Sequence, residues 1–263
     1  TWEVNNTASP LASGYYSKNG QLKSDASTIR IQPNTTIYVT KNDLTLYRST
    51  WTMGNNATIY IMNGDLKLNT ATTLTMPGSS TVYIGKGNST VLYGEWGNPN
   101  TALTLGTLGK ASLFYCNGNA NIGYTKFNIN GPTTGTEKTK VYFTGDLDLN
   151  GGTIMTIAGN VEIYISGTMK LTNDVRINIE DNSNVTFKVG GYSEMNSNAT
   201  ITTGKNNSAL ALLIDADAHF TNKTVINKAV VIATGNISMD SSATITGAVV
   251  STGTTLSLTN DAK

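Results

Sequence analysis

The sequence has one cysteine, Cys116, and one histidine, His219. A single thiol excludes an internal disulfide framework and any Cys-rich zinc site. A single imidazole excludes metal centres built from several histidines, and it leaves a His-based triad only one candidate base. Charge is scarce too. Only 13% of the 263 residues are Asp, Glu, Lys or Arg, with 18 basic side chains against 17 acidic ones. That balance excludes the basic footprint of a nucleic-acid binder and an acidic disordered tail. No apolar run approaches the roughly 18–20 residues that cross a bilayer as a helix. No signal peptide is visible, and Thr1-Trp2-Glu3-Val4 reads as a mature or trimmed end. No Pro/Ser/Gly-rich linker or charge block interrupts the chain, so residues 1–263 read as one domain.

The polar content comes instead from 42 Thr and 31 Asn, with 26 Gly. Thr favours strands, whereas Asn and Gly favour tight turns. Internal repetition gives this composition its order. Thr36-Ile37-Tyr38-Val39 returns as Thr58-Ile59-Tyr60-Ile61 and again as Thr81-Val82-Tyr83-Ile84, at near-equal intervals. Val141-Tyr142-Phe143, Ile163-Tyr164-Ile165 and Val185-Thr186-Phe187 follow with the same spacing. A second motif keeps the interval: Asp43-Leu44-Thr45-Leu46 and Asp65-Leu66-Lys67-Leu68, then Asp146-Leu147-Asp148-Leu149 and Thr168-Met169-Lys170-Leu171. Apolar residues alternate inside each motif, which is the strand period of two. Each unit holds three short strands broken by Gly, Asn or Asp. One unit cannot bury its apolar face alone, but a stack can. The predicted fold is therefore all-β: a single-stranded, right-handed parallel β-helix with about 22 residues per coil. Nine to eleven coils at about 4.8 Å each make a rod roughly 50 Å long.

Two stretches depart from the rhythm. Residues 87–139 carry Trp96, Tyr115 and Tyr124 and read as an insertion, or as an irregular coil with a longer turn. Insertions on solenoids gather on one face, often a binding face. Residues 1–28 read as an N-terminal cap or exchange segment, because a bare solenoid end is an open sheet edge.

Tyr38, Tyr60 and Tyr83 are expected to stack on one outward face, with Tyr142 and Tyr164 doing the same further along. Such a column either stabilises the coils or forms a partner or ligand face. Asp215, Asp217 and His219, at i, i+2 and i+4, would share one strand face and form the weak metal or acid/base candidate. Asp146-Leu147-Asp148-Leu149-Asn150-Gly151 copies the opening of a calcium loop, but Ile157 stands where the closing Glu belongs. The Thr-x-Thr triplets at 73, 200 and 244 read as strand propensity. No catalytic residue and no cofactor is expected.

One stretch also has a family likeness. Leu213-Ile214-Asp215-Ala216-Asp217-Ala218-His219-Phe220, Ala229-Val230-Val231 and Ser242-Ala243-Thr244-Ile245-Thr246-Gly247-Ala248-Val249-Val250 resemble β-solenoid domains of bacterial pilus-assembly (PilX-like) and polymer-forming cell-surface proteins. The resemblance implies a cell-surface, filament-linked or adhesive role, and no catalytic residue carries over with it. The expected protein is an extracellular structural or adhesive solenoid, a subunit or accessory of a surface filament or pilus. It would assemble as a homo-oligomer or filament through its ends and side faces. Cell-surface glycans or pilus subunits would be further partners, with no nucleic acid and no membrane span. The alternative is a polysaccharide-binding module, or a lyase or hydrolase of the pectin-lyase-like architecture.

Overall fold

A computed structural model describes residues 2–3, 15–85, 89–95 and 97–263. Those residues contain strands and turns and no helix, and hence no helix long and apolar enough to cross a membrane. The strands stack as a parallel β-solenoid with three faces per coil. One coil shows the plan. Asn160–Ile165 lies on the first face, Met169–Leu171 on the second and Arg176–Ile179 on the third. Asn184–Val189 then returns to the first face and pairs in parallel with Asn160–Ile165.

The second-face strands form a twelve-stranded sheet. The first and third faces merge into a nineteen-stranded one, because Val225–Ala233 and Thr244–Ser251 run through the corner between them. Coil length varies with position. Leu22, Leu44 and Leu66 are successive partners at an even interval. The interval lengthens from Thr90 to its partner Ala120, and shortens from Ala218 to its partner Ile237.

Alternation sends every second side chain into the core. Ile163 and Ile165 are buried and Tyr164 points outward. Ile163 sits in register between Val141 and Phe187, and Phe187 between Ile163 and Leu212. One buried apolar cluster runs from Leu22 to Ala243.

The corners use two chemistries. Between the first and second faces, Asp or Asn side chains cap the coil that follows. Asp43 Oδ1 accepts the Asp65 N–H at 2.9 Å, and Asp65 Oδ1 accepts the Ser89 N–H at 2.8 Å. Asp146 Oδ1 accepts the Thr168 N–H at 2.7 Å, and Asp217 Oδ1 accepts the Asn236 N–H at 2.7 Å. This is why Asp recurs just before the second-face leucines. Between the second and third faces, paired residues adopt left-handed φ. Asn173–Asp174, Asn222–Lys223 and Asn260–Asp261 each have both φ values between +52° and +63°. Asn tolerates this region better than most residues, so the turns draw on the asparagine surplus.

The stretch 87–139 is irregular in length but not in phase. Thr90–Tyr93, Thr101–Leu105, Leu113–Cys116, Ala120–Gly123 and Thr125–Asn130 all pair with the coils on either side. The extra residues sit at the corners, where length is free to change without disturbing the stack. The described part of residues 1–28 likewise joins the solenoid. Tyr15–Asn19 pairs with Thr36–Lys41, Leu22–Asp25 with Leu44–Tyr47, and Thr28–Arg30 with Thr50–Thr52. Its repeat is hidden in the sequence because Ser24 occupies the position of Leu46. The smaller side chain leaves room for Trp51, whose Nε1–H donates to Ser24 Oγ at 3.1 Å.

Phe187 is fully buried between neighbours on two coils. Phe187→Ala is expected to cost about 3–5 kcal/mol. Chemical denaturation checks this. A loss below about 1 kcal/mol would mean that the coils do not close on this ring.

Candidate functional site

The outward side of the first face carries six tyrosines in one unbroken ladder. Ring centroids lie 5.4 Å apart for Tyr38–Tyr60, 5.8 Å for Tyr60–Tyr83 and 5.0 Å for Tyr83–Tyr115. The series continues at 5.9 Å for Tyr115–Tyr142 and 4.6 Å for Tyr142–Tyr164. The two expected columns are therefore one, and Tyr115 joins them. Tyr115 does not belong to an insertion. It pairs in register with both Tyr83 and Tyr142, across coils longer than those of the regular repeat. The signal that could have found it is local: Phe114-Tyr115-Cys116 repeats the inward–outward–inward order of Val82-Tyr83-Ile84.

A cationic cap closes the ladder. Lys188 Nζ lies 4.7 Å from the centroid of Tyr164. Beside it, Glu162 accepts from Lys138 Nζ at 2.6 Å and from the Tyr164 hydroxyl. The Lys138 ammonium, with help from Tyr164, holds the Glu162 carboxyl below the usual range. The same hydrogen bond, with burial, pushes the Tyr164 phenol up to about 12, because a phenolate beside a carboxylate is disfavoured.

Beyond Lys188 the outward column changes character. Leu213, Ile232 and Val250 follow in register. Val230 stands alongside them. Val230 and Val250 are 43% and 45% exposed. Outward positions on a solvated strand face are normally polar, so this aliphatic stripe departs from the pattern.

The candidate trio of Asp215, Asp217 and His219 is not assembled. Asp215 and Asp217 lie in the turn after Ala209–Ile214, and only His219 is on a strand, Ala218–Phe220. Asp217 is used by the corner cap. His219 Nε2 instead meets Asp240 Oδ2 at 3.2 Å, one coil further on. The Thr221 hydroxyl also donates to Asp240, and the two contacts hold that carboxyl low. Strand alternation could not predict the trio's fate, because the strand ends before Asp215. Asp146 of the calcium-like motif is likewise a corner cap, and Asp148 faces Lys170 in register. No group of three metal-ligating side chains occurs among the described residues.

A groove of about 350 Å³ opens at the corner between the second and third faces. Tyr124, Ile154, Gly97 and Pro99 line it. Asn173, Asp174 and Arg176 form the rim. Tyr124 meets Tyr93 edge to face at 5.6 Å. Asn100 Oδ1 accepts the N–H groups of Glu95 and Ala71, both at 3.1 Å. Of the three residues assigned to the insertion, Tyr124 thus lines a groove and Tyr115 belongs to the ladder. Trp96 lies outside the described residues.

Fold and surface together define a parallel β-solenoid with an outer aromatic ladder and a lateral groove. Residues 116–261, more than half of the chain, match the family described as Domain of unknown function (DUF7305), and the chain belongs to that family. No curated protein and no solved structure matches it. The matched span contains Tyr124, Arg176 and the aliphatic stripe, but not the ladder residues Tyr38 to Tyr115.

Ultraviolet titration of the phenols is expected to include a late transition at about 12 from Tyr164. Glu162→Gln removes the carboxylate, so this transition should fall toward the ordinary value near 10. An unmoved titration would break the assignment to Tyr164.

Proposed function

We propose that this chain is a structural or adhesive solenoid displayed at a cell surface, acting as a subunit or accessory of a filament or pilus. The observation that carries the reading is the aliphatic stripe. Leu213, Ile232 and Val250 extend the tyrosine ladder along one face, with Val230 beside them. Apolar side chains at outward positions gain nothing from the solenoid's own core. They gain by excluding water against another surface.

The occupant that fits is a second copy of this chain. A flat stripe can meet its own image across a two-fold axis, residue against residue. With a formal net charge of +1, two copies also meet with little repulsion. The solenoid edge offers a further contact. Leu256–Leu258 pairs with the preceding coil only, within the described residues, and so does Thr244–Ser251 apart from its start, where the Lys263 carbonyl accepts the Ile245 N–H at 2.8 Å. The backbone on their other side suits a further coil, whether from the same chain or from a neighbour. Cell-surface placement rests on the low charge, the Thr and Asn content and the resemblance of residues 213–250 to pilus-assembly and polymer-forming proteins.

Negative-stain electron microscopy over a concentration series tests the reading. Paired rods or filaments are expected as concentration rises, with an axial repeat near one rod length wherever ends join. Val230→Lys with Val250→Lys should abolish lateral pairing and shift stability by no more than about 0.5 kcal/mol, as surface changes do. Isolated rods at every concentration would sink self-assembly.

A further inference from the structure

The tyrosine at the groove is in an unusual place. Tyr124 has φ +49°, the left-handed region that bulky side chains avoid. Later coils turn the same corner with Gly151–Gly152, Asn173–Asp174 and Ser197–Asn198. The ring is only partly exposed, set against Gly151 and edge to face with Tyr93, so packing offsets part of the strain. Backbone strain of this kind collects where a side chain has to be presented.

The groove around it is built. The Tyr124 ring rests on Gly151, where an added Cβ would come within 2.5 Å of the ring carbon Cζ. At the neighbouring Gly152, with φ +69°, an added Cβ would meet nothing within 4 Å. The hollow therefore exists because a side chain is missing at one position and a ring is present at another. Ile154 and Pro99 make the rest of the surface apolar, and Asn173, Asp174 and Arg176 supply hydrogen-bonding groups at its edge. Asp174 Oδ1 is held by Asn198 Nδ2 at 3.1 Å. Arg176 is exposed beside Ile154 and forms no ion pair among the described residues.

A lining that combines an aromatic ring and apolar side chains with exposed polar groups matches a pyranose ring, which has a C–H face and a hydroxyl edge. A free guanidinium at the rim selects a carboxylate, which its planar fork binds through two hydrogen bonds. We propose that this groove is a binding subsite for the uronic-acid units of an acidic polysaccharide. Asp174 is the only carboxylate lining it among the described residues. The proposal deepens the adhesive half of the reading above and is independent of self-assembly.

The test is calorimetric titration of the full chain with oligogalacturonate and oligomannuronate, against maltohexaose as the neutral control. At least one uronate probe should bind saturably, at least tenfold tighter than maltohexaose. Tyr124→Asn removes the ring and suits the left-handed backbone. Gly152→Asn fills the hollow and suits its φ equally. Both should keep a cooperative unfolding transition and weaken binding at least tenfold. Arg176→Gln should erase the preference for the acidic sugar. The Val230→Lys, Val250→Lys double variant should bind like wild type, which separates this result from failure to assemble. Absence of uronate binding, equal binding of maltohexaose, or binding untouched by Tyr124→Asn and Gly152→Asn would overturn the proposal.

Discussion

The parallel pairing of each coil with the next is the constraint on which the other features rest. One coil has too little interior to exclude water alone. Its inward residues are buried only because the coil above places inward residues in the same register. That is why Ile163, Phe187 and Leu212 form one continuous column. The same register acts on the outside. Whatever faces outward at one position is held about 4.8 Å from its counterpart on the next coil. The tyrosine ladder and the aliphatic stripe are thus by-products of the pairing that builds the core.

The corners are where the stack has freedom. Strands have to match from coil to coil, but the connections between them do not. Length is added at corners in the middle of the chain and removed near its C-terminal end. Corner chemistry keeps the pairing continuous across these changes. Asp and Asn side chains satisfy the N–H groups that the turns leave unpaired, as Asp146 does for Thr168. Paired left-handed residues close the opposite corner, as at Asn173–Asp174. The groove beside Tyr124 arises at such a corner, lined by Gly151 and Gly152 and by Gly97 and Pro99.

Two surfaces therefore divide the proposed roles by geometry. The flat first face offers a long, weakly charged stripe suited to another rod. The corner groove offers a small concave site suited to one sugar unit at a time. A rod that associates through one face and holds an acidic glycan at another would link cells or filaments to a polysaccharide layer.

Much of the fold was legible because strand alternation is local. Ile163-Tyr164-Ile165 states by itself which side chains go in and which go out. The interval shared by the Tyr and Asp-Leu motifs established that the units stack. The sites were less legible, because they depend on neighbours across coils of unequal length. Tyr115 could not be aligned with Tyr83 by counting, since the coil between them is longer than the regular repeat. Asp215, Asp217 and His219 looked like one face only while the strand was assumed to continue past Ile214. The partner of His219 is Asp240, and its distance in sequence carried no pattern. The sequence by itself determined the repeat, the strand period and the inward and outward sides, because these follow from residues one or two positions apart. Only the tertiary structure decided which outward residues meet, because lateral neighbours depend on how many residues each corner consumes.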